Sequence, residues 1–168
     1  MAIPFYAKST GNEGFIKNME VVGFSNLNGV NAFQMALYKT ADGKYYMYCG
    51  SFRGPGWNIV DVTDPAHPTV VNWLEACDPK EFPATNTPKI QVADGLMIGA
   101  LGGGVPFLHG NKPGDKNKSG LMIFDIRQDP IHPKLLSFWD TGVKDGMGVH
   151  RFMYNGGRYV HLSADCPG

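Results

Sequence analysis

The stretch Asn58-Ile-Val-Asp-Val-Thr-Asp-Pro-Ala-His-Pro-Thr-Val-Val-Asn-Trp73 recurs almost residue for residue as Met122-Ile-Phe-Asp-Ile-Arg-Gln-Asp-Pro-Ile-His-Pro-Lys-Leu-Leu-Ser-Phe-Trp139. The second copy carries one extra residue before its Asp-Pro. Each copy is an apolar run ending at an Asp, a turn Asp-Pro-x-His-Pro, and a second apolar run. Asp64 and Asp129 can bond their own backbone and start the turn, and the prolines that follow fix φ. Pro68 and Pro133 cannot continue a ladder, so each is expected to open a strand. The stretch is therefore a hairpin, written twice.

Working outward, a second strand pair precedes each hairpin. In the first copy, Ala32–Tyr38 and Tyr45–Cys49 flank the turn Ala41-Asp-Gly43. In the second, Lys89–Val92 and Leu96–Ala100 flank Ala93-Asp-Gly95. Asp-Gly between apolar runs is a strong short-range hairpin signal. Each copy thus has four strands in meander order, A to D, the pattern of a β-propeller blade. A third copy opens at His150–Tyr154, turns at Asn155-Gly-Gly157 and continues through Arg158–Leu162. Near the N-terminus, Glu20-Val-Val-Gly-Phe24 reads like an outer D strand. The expected fold is all-β, a fragment of a propeller of four-stranded antiparallel blades. Residues 1–18 form an N-terminal extension and residues 19–168 a single partial propeller domain. Its blades span about 30–76 and 87–142, with an incomplete third from 149. A ring needs roughly 4–8 blades, so the reading expects either a truncated chain or closure between chains by self-association.

Composition agrees. Hydrophobic residues make up 43% of the 168, which excludes a disordered composition. Lys+Arg and Asp+Glu are 15 each; the zero balance argues against a nucleic-acid or membrane-surface partner. The 22 glycines and 12 prolines suit many turns between short strands. No apolar run is long enough to span a bilayer and no leader pattern opens the chain, so a cytoplasmic location is expected. Cys49, Cys77 and Cys166 have no metal-type spacing and read as reduced thiols.

The segments Asn58–Pro68 and Met122–Pro133 resemble the LVIVD repeat, named for an apolar strand ending in Asp and followed by Asp-Pro-x-x-Pro. Val149–Ala164 is similar to the blade opening of bacterial proteins of this kind. The resemblance implies a β-propeller, and it implies no particular activity because propellers host unrelated functions.

In such a fold the A strands line a central channel, and the D-to-A and B-to-C connections share one face. This maps His150, Gln34 and Lys89 to one mouth, with Arg151 beside His150 and Arg53 in the Gly50–Gly56 loop. The long connection Leu101–Ser119 adds His109, Lys112, Asp115, Lys116 and Lys118, cations that could meet an anionic group. Arg53, Lys89, His109, Lys112 and Arg151 are the candidate binding residues. His150 is the candidate for chemistry, as a metal ligand or a base. His67 and His132 recur inside the turns and read as structural, His161 reads as packed, and Trp73 and Trp139 are expected to cover contacts between blades. No phosphate loop, nucleophile elbow or His-Glu-x-x-His motif is present. Two functions follow. The first is a binding scaffold presenting its loop face to a small molecule or protein. The alternative is a metal-dependent hydrolase or lyase at the channel mouth, which requires a divalent metal held through His150.

Overall fold

The computed structural model describes residues 20–106, 110–143 and 146–165. The extension 1–18, His109 and Cys166 lie outside the described residues. Eleven strands are present among those described: β1 Ala32–Lys39, β2 Tyr45–Ser51, β3 Gly56–Asp61, β4 Thr69–Glu75, β5 Thr85–Asn86, β6 Ile90–Ala93, β7 Leu96–Gly103, β8 Gly120–Asp125, β9 Lys134–Asp140, β10 Val149–Met153 and β11 His161–Ala164. They form three antiparallel sheets, β1-β2-β3-β4, then β7-β8-β9 with β5 and β6 both paired to β7, then β10-β11.

The two hairpins match in register. Asn58 faces Trp73 and Met122 faces Phe138, and each hairpin carries one irregularity, between Ile59 and Val60 in the first and between Ile123 and Phe124 in the second. The two Asp-Pro-x-His-Pro turns are also built alike. Asp64 Oδ1 accepts the Ala66 N–H at 3.0 Å while Oδ2 meets His67 Nδ1 at 2.7 Å. Asp129 Oδ1 accepts the N–H groups of Ile131 and His132, and Oδ2 meets His132 Nδ1 at 3.0 Å. Asp61 and Asp125 accept the N–H two residues on.

The sheets stack face to face in chain order. Alternation in β2 and β3 points Tyr46, Tyr48, Trp57 and Ile59 at the second sheet, where they pack on Ile90, Met97, Leu101, Met122 and Phe124. The opposite face of the second sheet presents Ile98, Ala100 and Leu121 to Val149, Phe152 and Tyr154. Trp57 is fully buried, edge-on to Phe124 at 5.7 Å. It fits because position 99 is Gly: a Cβ there would lie 2.2 Å from the indole. The second turn is pinned to the first sheet by Tyr48, whose hydroxyl donates to Pro130 O at 2.8 Å, and by Asn72, whose amide donates to Ile131 O at 2.7 Å.

Three expectations are corrected. Glu20–Phe24 is not a strand. The chain there lies over the free face of the first sheet, with Gly23 against the Pro65–Ala66 turn and Leu27 O accepting from Asn58 Nδ2 at 3.4 Å. Phe24 and Leu27 border a hollow over Met35, Leu37 and Val60 rather than joining a ladder. In the third unit the second strand starts at His161, not Arg158. The intervening loop is tied to the second sheet instead: Tyr154 N–H bonds Gln91 Oε1, and Gly157 N–H bonds Asp94 Oδ2 at 2.7 Å. Trp57, not Trp73 or Trp139, fills the space between sheets. Trp73 lies over Gly56 of its own sheet and Trp139 is 44% exposed.

Candidate functional site

The first strands of the three sheets come together at one place. Gln34 of β1 donates its N–H to Pro88 O at 3.1 Å, just ahead of β6. The end of β10 meets β6 through Tyr154 and Gln91. Two hollows open along this junction and share Lys89. One, of about 420 Å³, is lined by Gln34, Lys89, Gln91, residues 151–153 of β10 and residues 161–163 of β11. The other, of about 510 Å³, is bounded by Phe33, Phe52, Pro88, Val105, Met147 and Val149, with Lys89, Asn86 and His150 as its side-chain nitrogens. Both are of a size that holds a small organic ligand.

Lys89 is the electrostatic centre. Its residue is only 8% exposed. Its Nζ lies 3.8 Å from the centroid of the Phe33 ring, a cation–π contact that supplies attraction without a hydrogen-bond acceptor. Among the described residues no carboxylate pairs with it; the ion pairs there are His67–Asp64, Arg127–Asp125 and His132–Asp129. Burial, and secondarily the positive charge of Arg151, hold its amine below the ordinary lysine range. Asn86 is 6% exposed and its Nδ2 has no acceptor. Phe33 and Phe52 pack at 4.9 Å with their planes 40° apart, forming an aromatic wall of the larger hollow.

The candidates from sequence separate into two groups. Lys89, His150 and Arg151 are brought together at the junction, with Gln34. His161, expected to be packed, is exposed and lines the smaller hollow. Arg53 is exposed and lines neither hollow; its loop contributes Phe52 instead. Lys112 is an exposed turn residue whose N–H bonds Asp115 Oδ2 at 2.7 Å. The connection from Gly104 to Ser119 is tied to the preceding segment: Gly104 N–H bonds Ala84 O, Ala84 N–H bonds Lys116 O, and Lys118 N–H bonds Thr85 Oγ1. Lys118 Nζ lies over Phe82 at 4.9 Å.

Sequence reasoning missed Phe33, Phe52, Asn86 and Met147. Their one signal was the apolar residue next to each polar candidate, Phe33 before Gln34 and Phe52 before Arg53. Among the described residues no three His, Cys, Asp or Glu side chains converge on a metal-sized site, and no carboxylate lines either hollow beside His150. Burial raises the Cys49 thiol to about 11, and burial is also the main cause of the upward shift of Cys77; such thiols are poor nucleophiles and ligands. No helix among the described residues is long and apolar enough to cross a membrane. Comparisons of the chain with protein-family models, with curated proteins and with solved structures find no match.

Proposed function

We propose that the chain builds successive blades of a β-propeller of the LVIVD-repeat kind and acts as a binding scaffold, with its ligand mouth where the first strands of the sheets meet. The propeller reading is supported by the repeated register irregularity and by face-to-face packing in chain order. The observation that carries the binding reading is the pair of hollows joined at Lys89, each of small-ligand size and edged by polar side chains from different sheets. Among the described residues no hydrogen bond joins a base to a hydroxyl or thiol at the mouth.

The test is methyl NMR on the full 168-residue chain labelled at methionine, titrated with a panel of neutral, anionic and cationic small aromatic and aliphatic compounds. Met147 and Met153 border the two hollows, whereas Met97 and Met122 lie in the core. Panel members are expected to shift the Met147 or Met153 methyl and leave Met97 unmoved. If no compound moves either mouth methyl, the reading fails. Stoichiometric metal together with a hydrolase or lyase activity lost in His150→Ala would replace it with the metal-dependent alternative.

A further inference from the structure

The mouth is unbalanced in charge and in hydrogen bonding, always in the same direction. Lys89 buries its stem and opens its ammonium to both hollows, and among the described residues that ammonium, with three N–H donors, has neither a carboxylate nor a hydrogen-bond acceptor. Asn86 Nδ2, in the wall of the same hollow, is a buried donor without an acceptor. Arg151 adds a second positive charge on the other side of Lys89. No Asp or Glu lines either hollow. A buried amide donor without an acceptor is costly, and a cation with no carboxylate near it makes the same hollow attractive to an anion. Both deficits are relieved together by a ligand that brings anionic oxygens. The rest of the larger hollow is hydrocarbon: Phe33, Phe52, Pro88, Val105, Met147 and Val149. A bare inorganic anion would satisfy Lys89 and leave that wall uncovered.

We infer that the mouth binds a small organic acid, its carboxylate against Lys89 Nζ and Asn86 Nδ2 and its apolar body in the hollow walled by Phe33, Phe52, Val105 and Met147. The inference rests on the mouth being a ligand site, as proposed above, and adds the chemical class. Recognition divides between a fixed donor pair, which selects the charged oxygens, and an apolar wall, which selects what is attached to them. Arg151 lines the adjoining hollow and contributes long-range attraction rather than a contact to the carboxylate.

Four probes separate the components: benzoate, its neutral isostere benzamide, acetate as the head without a body, and inorganic phosphate. A charge-assisted bond is worth about tenfold in affinity or more. Calorimetric titration of the full chain is therefore expected to rank benzoate about tenfold or more above benzamide, and above acetate and phosphate. Lys89→Met should weaken benzoate by about tenfold and leave benzamide nearly unchanged. Equal affinity for benzoate and benzamide overturns the inference, as does acetate or phosphate binding as tightly as benzoate, or a folded Lys89→Met with unchanged benzoate affinity. If Lys89→Met does not give a cooperative melt, the wild-type benzoate-to-benzamide ratio decides, together with Asn86→Asp, which should oppose benzoate by charge and spare benzamide. If neutral compounds move the Met147 methyl while benzoate has no advantage, the acid is wrong and the mouth stands. If no compound moves it, the mouth itself is wrong.

Discussion

Asp125 ends β8 and accepts three hydrogen bonds from one neighbour: Arg127 offers its backbone N–H at 2.9 Å, Nε at 3.0 Å and Nη2 at 2.5 Å, the last two as a fork on the carboxylate. The stem of Arg127 lies across Gly95, where φ is +70° and a Cβ would come within 2.2 Å of the Arg127 Cγ. Gly is thus required there both for the turn and for the passage of the arginine. The Arg127 fork is the main cause that holds the Asp125 carboxyl down to about 2. A carboxylate depressed in the folded state favours folding above its unfolded pKa of about 3.9 and loses that contribution as pH falls through the folded value. Asp125→Asn should therefore be less stable than the parent in urea at about pH 6, and the difference should shrink below about pH 4 and vanish near pH 2. A difference independent of pH would assign the effect to packing. At this scale the sequence was informative where bonds are local, as in the Asp-to-backbone contacts two residues away. It was silent on Lys89, which it placed on an inner strand without indicating that Phe33, 56 positions earlier, would lie under its ammonium.

Hairpins were legible as elements because a hairpin is specified by its own turn: Asp-Gly and Asp-Pro-x-His-Pro carry their φ requirements with them. The inner strand of the second sheet was less so. The run expected over Lys89–Val92 is present as β6, but the short β5 ahead of it was not expected, and Thr87 and Pro88 between the two turn their bonds toward the first sheet. Ser51 and Thr87 exchange backbone bonds in both directions, at 3.0 and 3.3 Å. Thr87 is fully buried, and its Oγ1 accepts the Gly56 N–H at 3.0 Å while donating to Gly56 O. One hydroxyl therefore meets both backbone groups of the residue that opens β3, whose N–H also reaches Gly54 O at 3.1 Å. Replacing it by an isosteric methyl keeps the volume, leaves the Gly56 N–H only its contact to Gly54 O, and removes the hydroxyl donor to Gly56 O. Thr87→Val is expected to cost about 1–3 kcal/mol, the penalty for leaving buried polar groups unmade, read as a lowered urea midpoint with an unchanged slope. An unchanged midpoint would mean that Gly56 finds other partners. Because Thr87 immediately precedes Pro88 and Lys89, the same variant should also disturb the mouth methyls of Met147 or Met153.

For the molecule as a whole, the stacking order ranks the sheets by how well they are covered. The second sheet is enclosed on both sides: Met97, Leu101 and Met122 meet the first sheet, while Ile98, Ala100 and Leu121 meet β10 and its neighbours. Among the described residues, the first sheet is covered on one face by the second and on the other by the short segment around Gly23–Leu27, and Met35 and Leu37 remain 55% exposed. The two-stranded β10-β11 is covered on one face, with Met153 facing out and Leu162, opposite Phe152 in the ladder, still 39% exposed. The sequence could not rank them, since all three units carry the same alternation and the ranking depends on which neighbour lies against which face. Opening a ladder bond costs less where fewer apolar contacts must be broken with it. In native-state hydrogen exchange, amides of β7 and β8 are accordingly expected to open only with global unfolding. Those of β10 and β11 should exchange by local opening, about tenfold faster or more, with β1 between the two. Adding urea should then accelerate the β7 and β8 amides steeply and those of β11 hardly at all, because only the former expose the full core on opening. Equal protection across the three sheets would mean that they unfold as one cooperative unit, and that the exposed faces of β1 and β10-β11 weaken neither ladder.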